Sequence, residues 1–326
     1  MKSLRSPLRI GTRGSALAVW QTQRVSSRLA SAGHQTERVE IKTTGDLVPD
    51  VPLTQIGGRA LFTKQIDDAL LEGRIDLAVH SLKDLPTELP EGVIIAAVGE
   101  REDSRDALVG RGRLSWAELP SEARVGTSSL RRRAQLLFHR PDLQMVDLRG
   151  NVDTRLAKLD SRPEWTGIVI AAAGLIRLGL EHRIGERLPV EVMLPAPGQG
   201  ALGVTVRAND EAVAAVVRSA FHDSTTAPLV AAERAFLHAL GGGCQIPLAA
   251  LAVWKGRQAR PLLQLHGRVV SPGGEGMVEG QEQGMVDNEG DAADLGAALA
   301  ARLLKEGAAA ILSEARQTGA PVVTEP

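Results

Sequence analysis

One cysteine in 326 residues, Cys244, stands in LGGGCQIP, where three glycines leave its sulfur unshielded and Pro247 keeps a helix from starting over it. A thiol so placed reads as an attachment point or a nucleophile; the competing reading is a small hydrophobe packed in a turn. With no second cysteine an intramolecular disulfide is impossible, and a single soft ligand does not make a structural zinc site, so no metal is expected. The second candidate is Asp84 in VHSLKDLP, just past an apolar run and beside Lys83, on a loop that Pro86 keeps from becoming helix. A carboxylate there either neutralises nearby cations or moves protons and steadies a cationic intermediate. His80 and Ser81 invite a hydrolase reading, but GxSxG is absent and adjacent strand residues point to opposite faces.

The cations around that acid are lopsided, with 31 arginines against 7 lysines. Guanidinium forks bind carboxylate and phosphate bidentately, which ammonium groups cannot do. A GC-rich genome gives the same bias, so position has to separate the two explanations. Arg13, Arg149 and Arg177 each fall where a strand is expected to end, and Arg131, Arg132 and Arg133 open a helix. Arg155 closes the string LRGNVDTR. Several such forks together imply a ligand with several carboxylates, since each charge-assisted bond contributes only about 1.5–3 kcal/mol.

Short apolar runs alternating with helical periodicity through the first two thirds predict parallel α/β units. Strands are expected near residues 9–11, 39–42, 75–80, 94–98, 124–126, 145–148 and 168–171, with helices over 15–32, 61–72, 129–139 and 152–159. PAPGQG at 195–200 reads as a crossing between domains, followed by a strand over 201–207 and a helix over 210–221. Beyond Thr226 a helix runs into the cysteine loop, two strands follow at 248–254 and 262–270, and a helix covers 291–305. That is a separate α+β pattern, with 271–290 read as a solvated loop. RIGT at 9–12 and RVGT at 124–127 are an internal echo: strand, tight turn, and a helix opening at or near Ser15 and Ser129. Each is either an ordinary serine N-cap or an anion site at a helix N-terminus. Two copies fit two lobes facing a cleft at the carboxyl ends of their strands.

A net charge of -1, 2% aromatics and no tyrosine argue against nucleic acid as a partner. Residues 1–9 carry charges without an apolar run and no stretch approaches a membrane span, which predicts a cytoplasmic protein that does not bind membranes.

Eight strings occur in one order: RIGTRGSALAVWQT, DLAVHSLKDLPTELP, REDSRDAL, VGTSSLRRRAQL, LRGNVDTRLAKLD, AAAGLIRLGL, LPAPGQGALG and GGGCQIP. Together they resemble the hydroxymethylbilane synthase (porphobilinogen deaminase) family from about Arg9 to Pro247, and more loosely to the end. The resemblance implies a transferase of tetrapyrrole, porphyrin and haem biosynthesis. Such an enzyme adds four porphobilinogens head to tail to a covalent dipyrromethane cofactor, losing ammonia each time, and hydrolysis releases hydroxymethylbilane. It implies a thioether from Cys244 to one dipyrromethane per chain, with Lys83, Ser129, Arg131, Arg132 and Arg155 holding that cofactor. Arg13, Ser15, Arg149 and Arg177 would serve substrate, and Asp84 would be the catalytic acid, assisting deamination to an azafulvene. Arg59 and Phe62 fall in the segment that forms a mobile lid in relatives; GGKGLF there reads GGRALF here, and losing a glycine stiffens the loop.

The fold implied is α/β, with two lobes resembling bilobal, periplasmic-binding-protein-like anion-binding domains and a C-terminal α+β domain carrying the cysteine. The division expected is 1–102 with 200–222, then 103–199, then 223–326, and a monomer is expected. Two other readings stay open on the residues alone. A non-catalytic anion sensor would share the arginines but has no use for Cys244 or Asp84. A cysteine hydrolase would need a base near the sulfur, for which His238 is nearest in sequence.

Overall fold

Strand β1 (Leu8–Thr12) is apolar at alternate positions and almost wholly buried, and the turn Arg13-Gly14-Ser15 hands it to helix α1 (Ala16–Ser31). Gly33, at φ 87°, closes that helix in the left-handed conformation that favours glycine. Strands β2 (Thr36–Glu40) and β3 (Leu77–Ser81) flank β1 in parallel, and helix α2 (Lys64–Leu71) lies between them in sequence. A computed structural model describes residues 6–43, 63–242, 247–256 and 262–318.

The chain divides into two compact units. One contains described residues within 6–43, 63–102 and 200–227, the other those within 103–199 and 228–318. The first is built on a five-stranded sheet, β2-β1-β3-β10-β4, with β4 (Val93–Val98) at one edge and β10 (Leu202–Arg207) antiparallel to both its neighbours. Apolar clusters cover both faces, and every residue of β3 and β10 except the last of each is buried. Val25 and Leu29 of α1 and Val213 and Val217 of the helix Glu211–Phe221 pack on one face, Ile66 and Leu70 on the other.

The second unit repeats the plan. Its five-stranded sheet runs β7-β6-β8-β5-β9, through β5 (Asp106–Val109), β6 (Arg124–Gly126), β7 (Gln144–Val146), β8 (Gly167–Ala171) and β9 (Glu186–Arg187). Here β6, β7 and β8 are parallel and β5 is the antiparallel member. The helices are α3 (Leu130–His139), α4 (Val152–Ser161) and the short α5 (Ala172–Arg177). Each sheet thus has three parallel strands and an antiparallel strand next to the third, so the echo in the sequence extends to topology.

The same unit holds an antiparallel sheet, β11 (Leu248–Lys255), β12 (Leu262–Val270) and β13 (Met277–Met285). The helices Thr226–Ala239 and Glu289–Leu303 cover it around Phe236, Leu265 and Leu299. Strand β13 corrects the reading of 271–290 as a solvated loop. Its sequence, MVEGQEQGM, has no apolar alternation, and its glycines suggest a loop. A Cβ on Gly280 would come 2.9 Å from Leu303, and one on Gly284 would come 2.8 Å from Leu295. These glycines let the covering helix approach the sheet closely; they do not break the strand.

Candidate active site

In the first unit β1 and β3 run in parallel side by side, so the turns that follow them lie at the same end of the sheet. One carries Arg13 and Ser15, the other Lys83 and Asp84. Ser15 caps α1, its hydroxyl accepting the Ala18 N–H at 3.3 Å. Asp84 ends a single 3-10 turn, Leu82–Asp84, and is exposed. Two backbone bonds hold that turn: Leu82 N–H to the Ala201 carbonyl at 3.0 Å, and Leu85 N–H to the Leu82 carbonyl at 3.1 Å. The carboxylate therefore stands on a fixed base. Ser81 and His80 turn to different partners, as strand alternation requires: Ser81 Oγ accepts from Gln21 at 2.8 Å, and His80 Nε2 lies 3.1 Å from Thr205 Oγ1. Burial, with the charge of Arg13 adding to it, brings the His80 pKa down to about 4, so the ring is neutral near pH 7.

In the second unit the carboxyl ends of β6, β7 and β8 share one end of the sheet, where β5 begins, with Asp106 opposite Ala171. Ser129 caps α3, with the Arg132 N–H at 3.5 Å from its hydroxyl. Arg131 and Arg132, in the first turn of α3, are not a solvated basic face; each is nearly buried and turned onto Asp106, which is fully buried. Arg131 Nη2 is 2.8 Å from Asp106 Oδ2, and Arg132 Nη2 and Nε are 2.8 and 3.0 Å from Oδ1. Further N–H groups reach the Leu194 carbonyl from Arg131 at 2.7 Å and the Val169 carbonyl from Arg132 at 3.2 Å. Gln199, in the crossing segment, donates to Asp106 Oδ1 at 3.1 Å. Burial pulls the Arg131 pKa down while Asp106 opposes the fall.

The remaining arginines differ. Arg155 Nε donates to the Gly150 carbonyl at 2.7 Å and so folds back on the turn between β7 and α4. Arg149 is half-buried in that turn. Arg177 does not sit at a strand end; it closes α5, buried, a turn and a half past β8, because the AAGLIR segment after the strand is helical. Cys244, Arg59 and Phe62 lie outside the described residues.

Asp106, which stands in REDSRDAL, is a site residue that the sequence reading missed. The signal was the apolar run ALV directly after it, which marks a short buried strand and so a buried acid at its start.

Two family models match the chain: "Porphobilinogen deaminase, dipyromethane cofactor binding domain" over residues 8–215 and "Porphobilinogen deaminase, C-terminal domain" over residues 227–305. The chain belongs to the porphobilinogen deaminase family. Porphobilinogen deaminases of Rubrobacter xylanophilus and Geobacter metallireducens are similar along nearly the whole length. The first is 50% identical, covering 94% of this chain and 97% of the relative, and the second 48%, covering 95% of each. Among solved structures, a periplasmic substrate-binding protein of an ABC transporter from Coxiella burnetii superposes with TM-score 0.44 at 15% identity, over 66% of this chain and 92% of that one. Among the described residues no helix is long and apolar enough to cross a membrane.

Proposed function

We propose that this porphobilinogen deaminase divides its work between the two residue sets, with the second unit's arginines holding the cofactor and Asp84 of the first unit carrying the chemistry. The reaction is that of hydroxymethylbilane synthase, a transferase of tetrapyrrole synthesis. Four porphobilinogens condense head to tail, each losing its aminomethyl nitrogen as ammonia as a carbon–carbon bond forms, and hydrolysis frees the linear tetrapyrrole. The dipyrromethane cofactor supplies the free pyrrole α-carbon on which that chain starts.

The donor set fits such a group. Each of its pyrroles bears an acetate and a propionate, so it is a polycarboxylate. In the second unit, two buried guanidiniums share the Asp106 carboxylate. The trio keeps a positive charge that an incoming carboxylate would balance. This trio is the observation that carries the reading. Ser129 and Arg155 at the same sheet end, with Lys83, complete the cofactor set, and Cys244 forms the thioether. Arg13, Ser15, Arg149 and Arg177 take substrate carboxylates, and Arg59 and Phe62 belong to a lid.

Asp84 accepts hydrogen bonds from pyrrole N–H groups and steadies the positive charge that develops as ammonia leaves. Its exposed position on a rigid turn suits a group that must meet successive rings. We assign the enzyme to the cytoplasm as a monomer of three domains, 1–102 with 200–222, 103–199 and 223–326, acting on porphobilinogen without nucleic-acid or membrane partners. The test is turnover of porphobilinogen by Asp84→Asn. A loss of at least about 100-fold in kcat is expected, with the cofactor still bound; activity within a fewfold of wild type would overturn the assignment.

A further inference from the structure

Arg268 occupies a position on β12 where an apolar residue would be ordinary. The flanking Val269 and Val270 are buried, and its own side chain is 2% exposed. Its charge is met by the residue directly across the ladder: Glu279 Oε2 lies 2.7 Å from both its Nε and its Nη2. The third bond leaves the sheet, from Nη1 to Gln135 Oε1 on α3 at 2.9 Å.

Gln135 is buried on the same helix as Arg131 and Arg132, one turn further on. Its amide clasps the backbone of one residue. Leu194 N–H donates to Gln135 Oε1 at 2.9 Å, and Gln135 Nε2 donates to the Leu194 carbonyl at 3.0 Å. That carbonyl is also the acceptor of Arg131 Nη1, at 2.7 Å. A carboxamide can turn over and exchange its oxygen and nitrogen, and the flipped form would break both bonds to Leu194. Arg268 has donors and no acceptor, so it tolerates only the oxygen facing it. The guanidinium thereby selects one orientation of Gln135, Gln135 fixes the Leu194 backbone, and the Leu194 carbonyl fixes one end of Arg131, whose other end is on Asp106.

We propose that Arg268 is a positioning residue for the cofactor site, acting through Gln135 and Leu194 to set the guanidinium of Arg131 before any cofactor arrives. A buried ion pair is weak grounds for stability, and a strand position among valines would take leucine at lower desolvation cost. What the arginine adds is a defined geometry on the neighbouring helix. The inference rests on the assignment of Arg131 to the cofactor, and the experiment separates the two.

Cofactor-free Arg268→Leu, Gln135→Met, Arg131→Leu and wild-type chains are incubated with porphobilinogen. Covalent loading is followed by intact mass, and unfolding midpoints are recorded with and without the adduct. Gln135→Met keeps side-chain volume and serves if Arg268→Leu folds poorly. Loading is expected to slow about three- to tenfold in Arg268→Leu and Gln135→Met, the worth of one buried hydrogen bond. In both, the midpoint gain on loading should shrink. Slowed loading in Arg131→Leu with unaltered loading in the other two overturns the positioning role. Unaltered loading in Arg131→Leu itself overturns the assignment beneath it. A midpoint lowered equally in loaded and unloaded Arg268→Leu, at normal loading rate, makes the arginine merely structural and also refutes the proposal.

Discussion

Replacing Asp106 by leucine probes the buried trio directly. The carboxylate is 0% exposed and its partners' side chains are each 7% exposed, so water cannot take over its charge when it is removed. Breaking a buried ion pair by deleting one partner typically costs about 3–5 kcal/mol, because the surviving charge is left uncompensated. Here two guanidiniums lose a shared partner, and the net charge of the trio rises from one to two. The unloaded Asp106→Leu chain is therefore expected to lose at least about 3 kcal/mol in urea denaturation. Two comparisons make the reasoning specific. The double variant Asp106→Leu/Arg132→Leu restores the net charge and should recover part of the loss, although neither single change is benign. Loading the cofactor should also recover part of it, because carboxylates then enter the same cluster. A loss below about 1 kcal/mol, or an equal loss in loaded and unloaded chains, would refute the claim that the trio is a buried cationic site completed by the cofactor.

Further outcomes follow from single contacts. His80 has a folded-state pKa near 4, below the ordinary 6.5, so the unfolded chain binds the extra proton between those values. Stability should fall as pH drops from about 6.5 to about 4, by up to about 3 kcal/mol, and His80→Leu should flatten that slope; an unchanged slope would contradict the burial argument. Gly200 sits at φ 90°, and a Cβ there would lie 2.3 Å from the Glu102 carbonyl oxygen. Gly200→Ala should cost about 1–3 kcal/mol by denaturant titration, and a neutral result would show that the backbone relaxes freely. Arg155→Ala should slow covalent loading at limiting porphobilinogen by about tenfold, measured by mass; normal loading would remove it from the cofactor set.

Much of this arrangement was legible in the sequence because its signals are local. Gly33 and Ser15 bracket a helix, Ser129 opens another, and unbroken apolar runs such as IVIA mark strands buried on both faces. The two sets of turns at strand ends followed from the same grammar. Long-range pairing was what could not be read. Asp106 precedes Arg131 by 25 residues, and nothing local says that the arginines fold inward onto it instead of facing solvent. Strand β13 escaped for a related reason: its stability comes from the ladder to β12 and from a helix pressed against its glycines, neither of which leaves an apolar alternation. The chain Arg268–Gln135–Leu194–Arg131 joins a strand, a helix and a loop far apart in sequence, so only the fold displays it.

The central claim is a covalent cofactor anchored at Cys244 within an arginine-rich site, and intact mass spectrometry of the purified chain tests it most directly. The account predicts a mass above that of the sequence by two porphobilinogens less two ammonias, absent in Cys244→Ser. A wild-type mass equal to that of the sequence, unchanged after incubation with porphobilinogen, or an adduct that survives in Cys244→Ser, would contradict it.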